Sequence, residues 1–201
     1  MDLGATPSGC VCGQAALTAQ RERLVPHALG DVIEIGFGRG ENLPYYDAVR
    51  TTRITGIEPS ASARRKAARV VGKTAIPVEL VDARAEDLPA ADASVDTVVM
   101  TYTLCTVQDP QAALAEIRRV LKPEGRLLFC EHGAAPDASL SRWQRRWEPV
   151  WKLFNGGCHL TRPIDQLIEE AGFRIEQIDT GYVPCTPKIV AFDYLGSARP
   201  G

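Results

Sequence analysis

The sequence predicts an α/β domain: a doubly wound, mostly parallel sheet with helices on both faces. Three observations lead there. Strand-like and helix-like segments alternate from residue 31 to about residue 131. The strand segments are β-branched apolar runs rather than apolar–polar alternators, as expected of strands covered on both sides. The first of them ends in a glycine-rich stretch, Gly36-Phe37-Gly38-Arg39-Gly40, at the place where open parallel sheets form their ligand crevice.

Gln14 to Leu29 reads as an amphipathic helix, with Leu17, Leu24 and Leu29 apolar and Arg21, Glu22 and Arg23 polar. Asp31 to Gly36 is the first strand and Arg53 to Glu58 the second. Ser60 is positioned to cap a helix that runs through Val71. Val78 to Val81 is a short third strand and Val95 to Met100 a fourth. Asp109-Pro110 is an N-cap with proline at the first helical position, and that helix runs to about Leu121. Pro123-Glu124-Gly125 turns the chain into strand five, Arg126 to Glu131.

After strand five the alternation breaks. Ser139 to Phe154 is helical by pattern and carries Trp143, Trp147 and Trp151 at i, i+4 and i+8. That stripe must pack on something apolar, as a core helix or as a lid over an acceptor pocket. Pro163 to Ala171 is a further helix, stopped by Gly172. Strands Arg174 to Asp179 and Ile189 to Leu195 follow, separated by Gly181, Pro184 and Pro187, with the last running antiparallel at the sheet's end.

Composition narrows the function classes. The 201 residues suit one domain, 1–201, divided into an N-terminal segment and helix (1–30), a cofactor half (31–131) and a lid and acceptor half (132–201). Basic and acidic residues number 23 and 25, which argues against a nucleic-acid surface. No apolar run approaches the roughly 20 residues that span a bilayer. The opening Met1 to Pro7 has neither the basic nor the apolar region of a signal peptide. The expectation is a soluble, cytoplasmic protein. Its six cysteines (10, 12, 105, 130, 158 and 185) then read as reduced thiols. Only Cys10 and Cys12 are neighbours, and without a second pair no metal site is expected.

The glycine stretch carries the chemistry. A dinucleotide fold wants Gly-x-Gly-x-x-Gly, bringing pyrophosphate to a helix N-terminus. Here the third glycine, Gly40, comes one residue early, Glu41 stands in the expected place, and Glu34 brings a carboxylate to the loop. That suits a cationic ligand better than a diphosphate and disfavours a dinucleotide-dependent oxidoreductase. Glu58, ending strand two, can accept both hydroxyls of a ribose.

From Ile33 to Phe129 the chain resembles class I S-adenosylmethionine (SAM)-dependent methyltransferases of the ubiquinone-biosynthesis type. The resemblance rests on the Glu-x-Gly-x-Gly-x-Gly loop, Glu58, Ala85-Glu86-Asp87-Leu88-Pro89, Ser94-Val95-Asp96 and Val120-Leu121-Lys122-Pro123-Glu124-Gly125. It implies a Rossmann-like seven-stranded sheet, mostly parallel, with an antiparallel C-terminal strand and a helical lid inserted after strand five. It also implies an adenine contact in the loop after strand three, where Arg84 replaces a usual Asp and Ala85 with Glu86 would serve. A closer similarity is to the small-molecule thiol methyltransferases and their bacterial relatives. It rests on Gln20-Arg21, Gly40 to Tyr46, Glu58-Pro59, Leu104 to Gln108, Glu131-His132-Gly133, and Asn155 to Arg162 after the Trp helix. Membrane-bound members of that family carry an N-terminal hydrophobic anchor, which these opening residues lack. Related bacterial sequences are also described as phospholipid N-methyltransferases.

The expected reaction is therefore methyl transfer from SAM to a small, largely apolar acceptor, most readily a thiol. The alternatives are an amine, including a phospholipid head group, or a SAM-binding protein without turnover. Cofactor contacts are expected from Glu34, Gly36, Phe37, Gly38, Gly40, Asn42, Glu58, Pro59, Ala85, Glu86, Thr101 and Tyr102, all at or near strand ends. His132 and Tyr102 are the expected catalytic groups, His132 as a base or orienting residue. Cys105, Trp143, Trp147, Cys158, His159 and Arg162 are expected on the acceptor side.

Overall fold

A computed structural model describes residues 15–184 and 186–201; Cys10, Cys12 and Cys185 lie outside the described residues. In chain order its elements are α1 (Ala15–Leu24), β1 (Gly30–Ile35), β2 (Thr51–Ile57), α2 (Ala61–Val71), β3 (Val78–Val81), β4 (Val95–Thr101), α3 (Pro110–Val120), β5 (Leu121–His132), α4 (Ala138–Phe154), α5 (Ile164–Glu170), β6 (Phe173–Tyr182) and β7 (Phe192–Pro200). The seven strands form one sheet in the order β3-β2-β1-β4-β5-β7-β6. β1 to β5 pair in parallel, and β7 runs antiparallel to both β5 and β6.

The β-branched runs have a direct structural reason. Successive side chains of a strand point to opposite faces, and both faces here are covered. Ile33, Ile35, Val98, Met100, Leu127 and Phe129 enter one core with Leu114 and Ile117 of α3. Val32, Ile54, Val99 and Leu128 enter the other with Leu17 and Leu24 of α1 and Ala67 of α2. The helices start where their caps dictate: Ser60 Oγ accepts the Ala63 amide, and the Asp109 and Asp137 carboxylates each accept two amides of the first turn of α3 and α4.

Several boundaries differ from the pattern reading. α1 gives way at Leu24 to a single 3-10 turn, Val25–His27, because Pro26 cannot continue the ladder. The expected turn at Pro123-Glu124-Gly125 lies inside β5, as an irregularity between the Val95–Leu121 and Thr97–Arg126 pairs. Ile189 and Val190 belong to a 3-10 turn, not to the last strand. That strand, β7, lies between β5 and β6 rather than at the sheet's end. Periodicity identifies a strand without naming its partners.

The Trp stripe is the largest departure. Trp143 and Trp147 are 55% and 49% exposed, whereas Gln144 between them is fully buried. Each four-residue step drifts about 40° around a helix, so only Trp151, two steps on, turns inward to pack on Cys105, Cys158, Leu160 and Val190. Gln144 fixes the helix: its amide accepts from Ala135 N and donates to Gly133 O and Ile189 O.

β1 is the element that positions the site. Ile35 pairs with both Ile57 of β2 and Met100 of β4, so three strand ends are flush. The chain leaves β1 toward β2 and β3 on one side and returns as β4 and β5 on the other. That reversal opens a crevice at the carboxyl ends of β1 and β4.

Candidate functional site: the strand-end crevice

Gly36 closes β1 at φ +72, and its N–H donates to Ile57 O at 2.9 Å. A Cβ built there would stand 2.1 Å from Thr103 Oγ1, so any side chain would drive the loop after β4 out of the crevice. Two residues on, Gly38 N donates to Glu58 Oε2 at 2.9 Å, while Ser60 N donates to Glu58 Oε1 at 2.8 Å. The Glu58 carboxylate is thus aimed into the crevice by backbone amides, with lone pairs left over. Gly40 does something different: a Cβ there would meet Val70 Cγ2 at 2.9 Å. It lets the loop pack on α2, and it lines neither cleft described below.

Glu34 is buried at the end of β1. Its Oε1 accepts from Asn42 Nδ2 at 3.0 Å and its Oε2 from Tyr46 Oη at 2.8 Å. Burial nevertheless pushes its carboxyl up to about 8, against these hydrogen bonds. Asn42 Nδ2 also donates to Thr101 Oγ1 at 3.0 Å, which ties β1 to β4. Asn42 Oδ1 is buried and accepts no hydrogen bond.

Two clefts open here. One, of about 370 Å³, is lined by Arg21, Glu34, Phe37, Gly38, Asn42 and Thr101, with Phe154 and Asn155 at its far side. The other, of about 350 Å³, is lined by Ile57, Glu58, Pro59, Arg84, Ala85, Glu86 and Gln108. Gly36, Tyr102, Thr103 and Thr106 line both, so the two are halves of one elongated crevice. Tyr102 stands at the junction with φ +54, a left-handed backbone that an aromatic residue rarely adopts. Its hydroxyl donates to Asp193 Oδ2 at 2.8 Å. Glu86 Oε1 accepts the amides of Gln108 and Asp109, so this carboxylate braces the loop after β4.

The donors and acceptors have an order along the crevice. Glu34 and the vacant Asn42 Oδ1 suit an ammonium, and the Arg21 guanidinium suits a carboxylate. Glu58, in the other half, suits a pair of vicinal hydroxyls. A molecule with an amino-acid end and a nucleoside end fits this sequence of groups, and SAM is such a molecule. A dinucleotide does not fit. The glycine loop leads to a 3-10 turn, Leu43–Tyr45, in place of an α-helix N-terminus, and pyrophosphate would face Glu34 and Glu41.

Behind Tyr102 lies a second group of side chains. The Tyr102 and His132 rings pack together, tilted by 42°, with centroids 4.6 Å apart. His132 Nε2 is 3.6 Å from Asp193 Oδ1. Cys105, His132 and Cys158 are buried, with their ligand-type atoms within 4.8 Å of one another. The Cys105 thiol, the His132 imidazole and Trp151 together lower Cys158 to about 5, against its burial. Glu131, also buried and raised by burial to about 7, accepts the amides of Thr103 and Cys105. It thereby shapes the loop that Tyr102 begins.

The residues expected on the acceptor side therefore divide. Trp147 lines an apolar groove of about 500 Å³ with Val150, Trp151, Leu160, Pro187 and Ile189. Phe154 and Asn155 line both this groove and the first cleft. Trp143, Cys105, Cys158, His132, His159 and Arg162 line none of these three cavities. Arg162 donates to the carbonyls of Leu104 and Val107 and is a brace for the loop after β4. His159 Nδ1 lies 3.2 Å from Glu148 Oε1, and burial lowers its pKa. Arg21, Thr103, Thr106, Glu131 and Asp193 were not among the expected site residues. Arg21, Thr106 and Glu131 stand in segments that carry the family similarity, a signal that could have found them; nothing local marks Thr103 or Asp193.

Comparison with known proteins agrees with this geometry. Residues 33–129 match the methyltransferase domain family. The chain is 36% identical over 152 residues to the thiol S-methyltransferase TMT1B of Rattus norvegicus, covering 74% of this chain and 62% of the relative. It is 34% identical over 146 residues to the human thiol S-methyltransferase TMT1A, covering 71% and 59%. The chain thus spans less than two thirds of the length of these relatives. Among solved structures, a geranyl diphosphate methyltransferase in complex with SAM superposes with TM-score 0.68 at 16% identity, over 92% of this chain and 85% of that one. The [4+2]-cyclase SpnF superposes with TM-score 0.70 at 19% identity, over 92% and 79%; these likenesses speak for the fold alone. The matched domain and the crevice agree: residues 33–129 are similar to methyltransferase domains, and the groups along the crevice are ordered as SAM would need them.

Proposed function

We propose that the protein transfers the methyl group of SAM to a small, largely apolar thiol. The observation that carries this reading is the continuity of three spaces. The Glu58 half of the crevice receives a nucleoside, the Glu34–Asn42–Arg21 half receives an amino acid, and Phe154 and Asn155 connect that half to the apolar groove. The names of the similar thiol S-methyltransferases favour sulfur as the accepting atom.

SAM bound there supplies an electrophilic methyl group: a bond forms from the acceptor sulfur to the methyl carbon as the carbon–sulfonium bond breaks. The residues of this chain bind and align. Holding the acceptor about 3 Å from the methyl carbon accounts for most of the acceleration such a displacement needs. A thiol with a pKa near 8.5 is partly ionised at neutral pH, so its proton can pass to water without a dedicated base. In this reading Tyr102 is the wall between cofactor and acceptor. His132, packed against its ring, is a positioning residue rather than a base.

The test has two stages. SAM and its demethylated product should raise the melting temperature, and NAD should not; the reverse result ends the proposal. Labelled SAM offered with a panel of thiols, amines and phenols should label apolar thiols. Label only on amines would overturn the thiol assignment in favour of N-methylation, and binding without transfer to any acceptor would make the chain a SAM-binding protein. A His132→Ala variant should keep the shape of the pH–rate profile while raising KM for the acceptor.

A further inference from the structure

Of the buried Cys105–His132–Cys158 group, only His132 enters the reading above, as a support for Tyr102; the two thiols are used by none of its steps. These residues are distant in sequence and come from three different places: the loop after β4, the end of β5, and the turn after α4. The fold brings a thiol, an imidazole and a second thiol together, all with ligand-type atoms within 4.8 Å of one another. Two thiols and an imidazole form a soft donor set of the kind that selects zinc over magnesium or calcium. A second observation comes from Asp193. This side chain is 2% exposed, and its Oδ2 accepts from Tyr102. Its Oδ1 is buried, accepts no hydrogen bond, and stands 3.6 Å from His132 Nε2. A buried carboxylate beside a histidine is the arrangement that fixes the ring and raises its basicity when the imidazole binds a metal.

We propose that Cys105, Cys158 and His132 are the protein ligands of a zinc-class divalent metal ion, with Asp193 holding the imidazole from behind. Three protein ligands leave one tetrahedral position for water or another small donor. The ion would join the turn after α4 to the ends of β4 and β5, and so fasten the wall of the apolar groove to the cofactor crevice. The inference stands independently of the acceptor, since binding of the ion is measured without methyl transfer.

The experiment uses the full, reduced chain, stripped with a chelator and titrated with zinc and separately with cobalt(II). Expected are about one tightly bound ion per chain and, with cobalt, a thiolate-to-metal charge-transfer band of a tetrahedral site. Cys10→Ser/Cys12→Ser should bind as before, Cys158→Ser should lose the site, and Asp193→Asn should weaken it by about 10- to 100-fold. Because Cys158→Ser could misfold, alkylation of the unaltered chain gives a second reading: zinc should protect Cys105 and Cys158, but not Cys10 and Cys12, from modification. No zinc bound to the reduced chain, zinc that leaves Cys105 and Cys158 unprotected, or binding that disappears with Cys10 and Cys12 would each overturn the assignment.

Discussion

The two stretches 31–131 and 132–201 build their surfaces in opposite ways. In the first, Glu34, Gly36 and Glu58 sit at strand ends, where the direction of each follows from local geometry. Glu34 and Gly36 flank the last residue of β1, and Glu58 follows β2 directly. In the second, little is local. α4 is held by Gln144, Glu148 and Trp151 and exposes Trp143 and Trp147. His132 meets Asp193 because β7 pairs with β5, and Cys158 joins them because the turn after α4 packs on the loop after β4. A cofactor of fixed shape can be met by spaced motifs on a rigid sheet edge. The proposed acceptor surface is assembled by packing, and its residues have no fixed spacing.

Four measurements would break or sharpen this contrast. The largest effect is expected at Gly36→Val. A β-branched residue at φ +72, with its Cβ 2.1 Å from Thr103 Oγ1, should abolish detectable SAM binding in calorimetry and lower stability by more than about 1 kcal/mol. Unchanged SAM affinity would show that the loop after β4 does not form the crevice. Next, Glu58→Ala should weaken SAM by about 10- to 100-fold, the loss expected for hydrogen bonds to a charged group. Binding left undiminished would remove the ribose assignment.

Trp147→Ala addresses the other stretch. Its side chain is half exposed, so the melting temperature should move little, the Kd for SAM should hold, and KM for apolar acceptors should rise several-fold. A parallel loss of SAM affinity would contradict the division between the two regions. The smallest effect is a fraction of a proton. Glu34, held at about 8 by burial, is protonated at pH 7 in the ligand-free protein, and a cationic ligand favours its ionised form. SAM binding at pH 7 should therefore release protons, seen as a dependence of the calorimetric heat on buffer ionisation enthalpy, and Glu34→Gln should remove that dependence. The same shift acts on stability. A carboxyl raised above its unfolded value of 4.5 contributes fully below that pH. Its contribution declines as pH rises toward about 8, where the buried group must ionise. Other buried groups titrate in the same window, Cys158 with the opposite sign, so the comparison is with Glu34→Gln. A ligand-free melting temperature that rises across this window relative to that variant would contradict the burial of a neutral Glu34.

Much of the fold was legible in the residues. β3 has the same bounds as its pattern, and the caps at Ser60 and Asp109 start α2 and α3 where expected. These parts of the crevice were legible because Glu34, Gly36 and Glu58 stand at or beside the ends of β1 and β2, which the strand pattern locates; their pairing with Asn42, Tyr46, Thr103 and Gly38 was not. Other expectations failed at the step from local to long-range structure. Gly40 has glycine's requirement for close packing but packs on Val70 instead of lining a cleft. Arg162 has the charge for an anionic acceptor, yet both its bonds go to carbonyls of the loop after β4. The Trp stripe had the spacing of a buried face but turns only Trp151 inward.

By itself, then, the sequence determined the alternating α/β architecture, the places of β1 to β4 and the residue types that stand at their carboxyl ends, because these depend on propensities, caps and turns a few residues long. Only the tertiary structure decided which strand β7 joins, that Tyr102 stands in a left-handed backbone at the junction of two clefts, and that Cys105, His132 and Cys158 share one buried site. Pairing and packing bring together residues whose separation along the chain carries no local signal. Directional groups such as thiols and imidazoles acquire a joint chemistry only once that distance is closed.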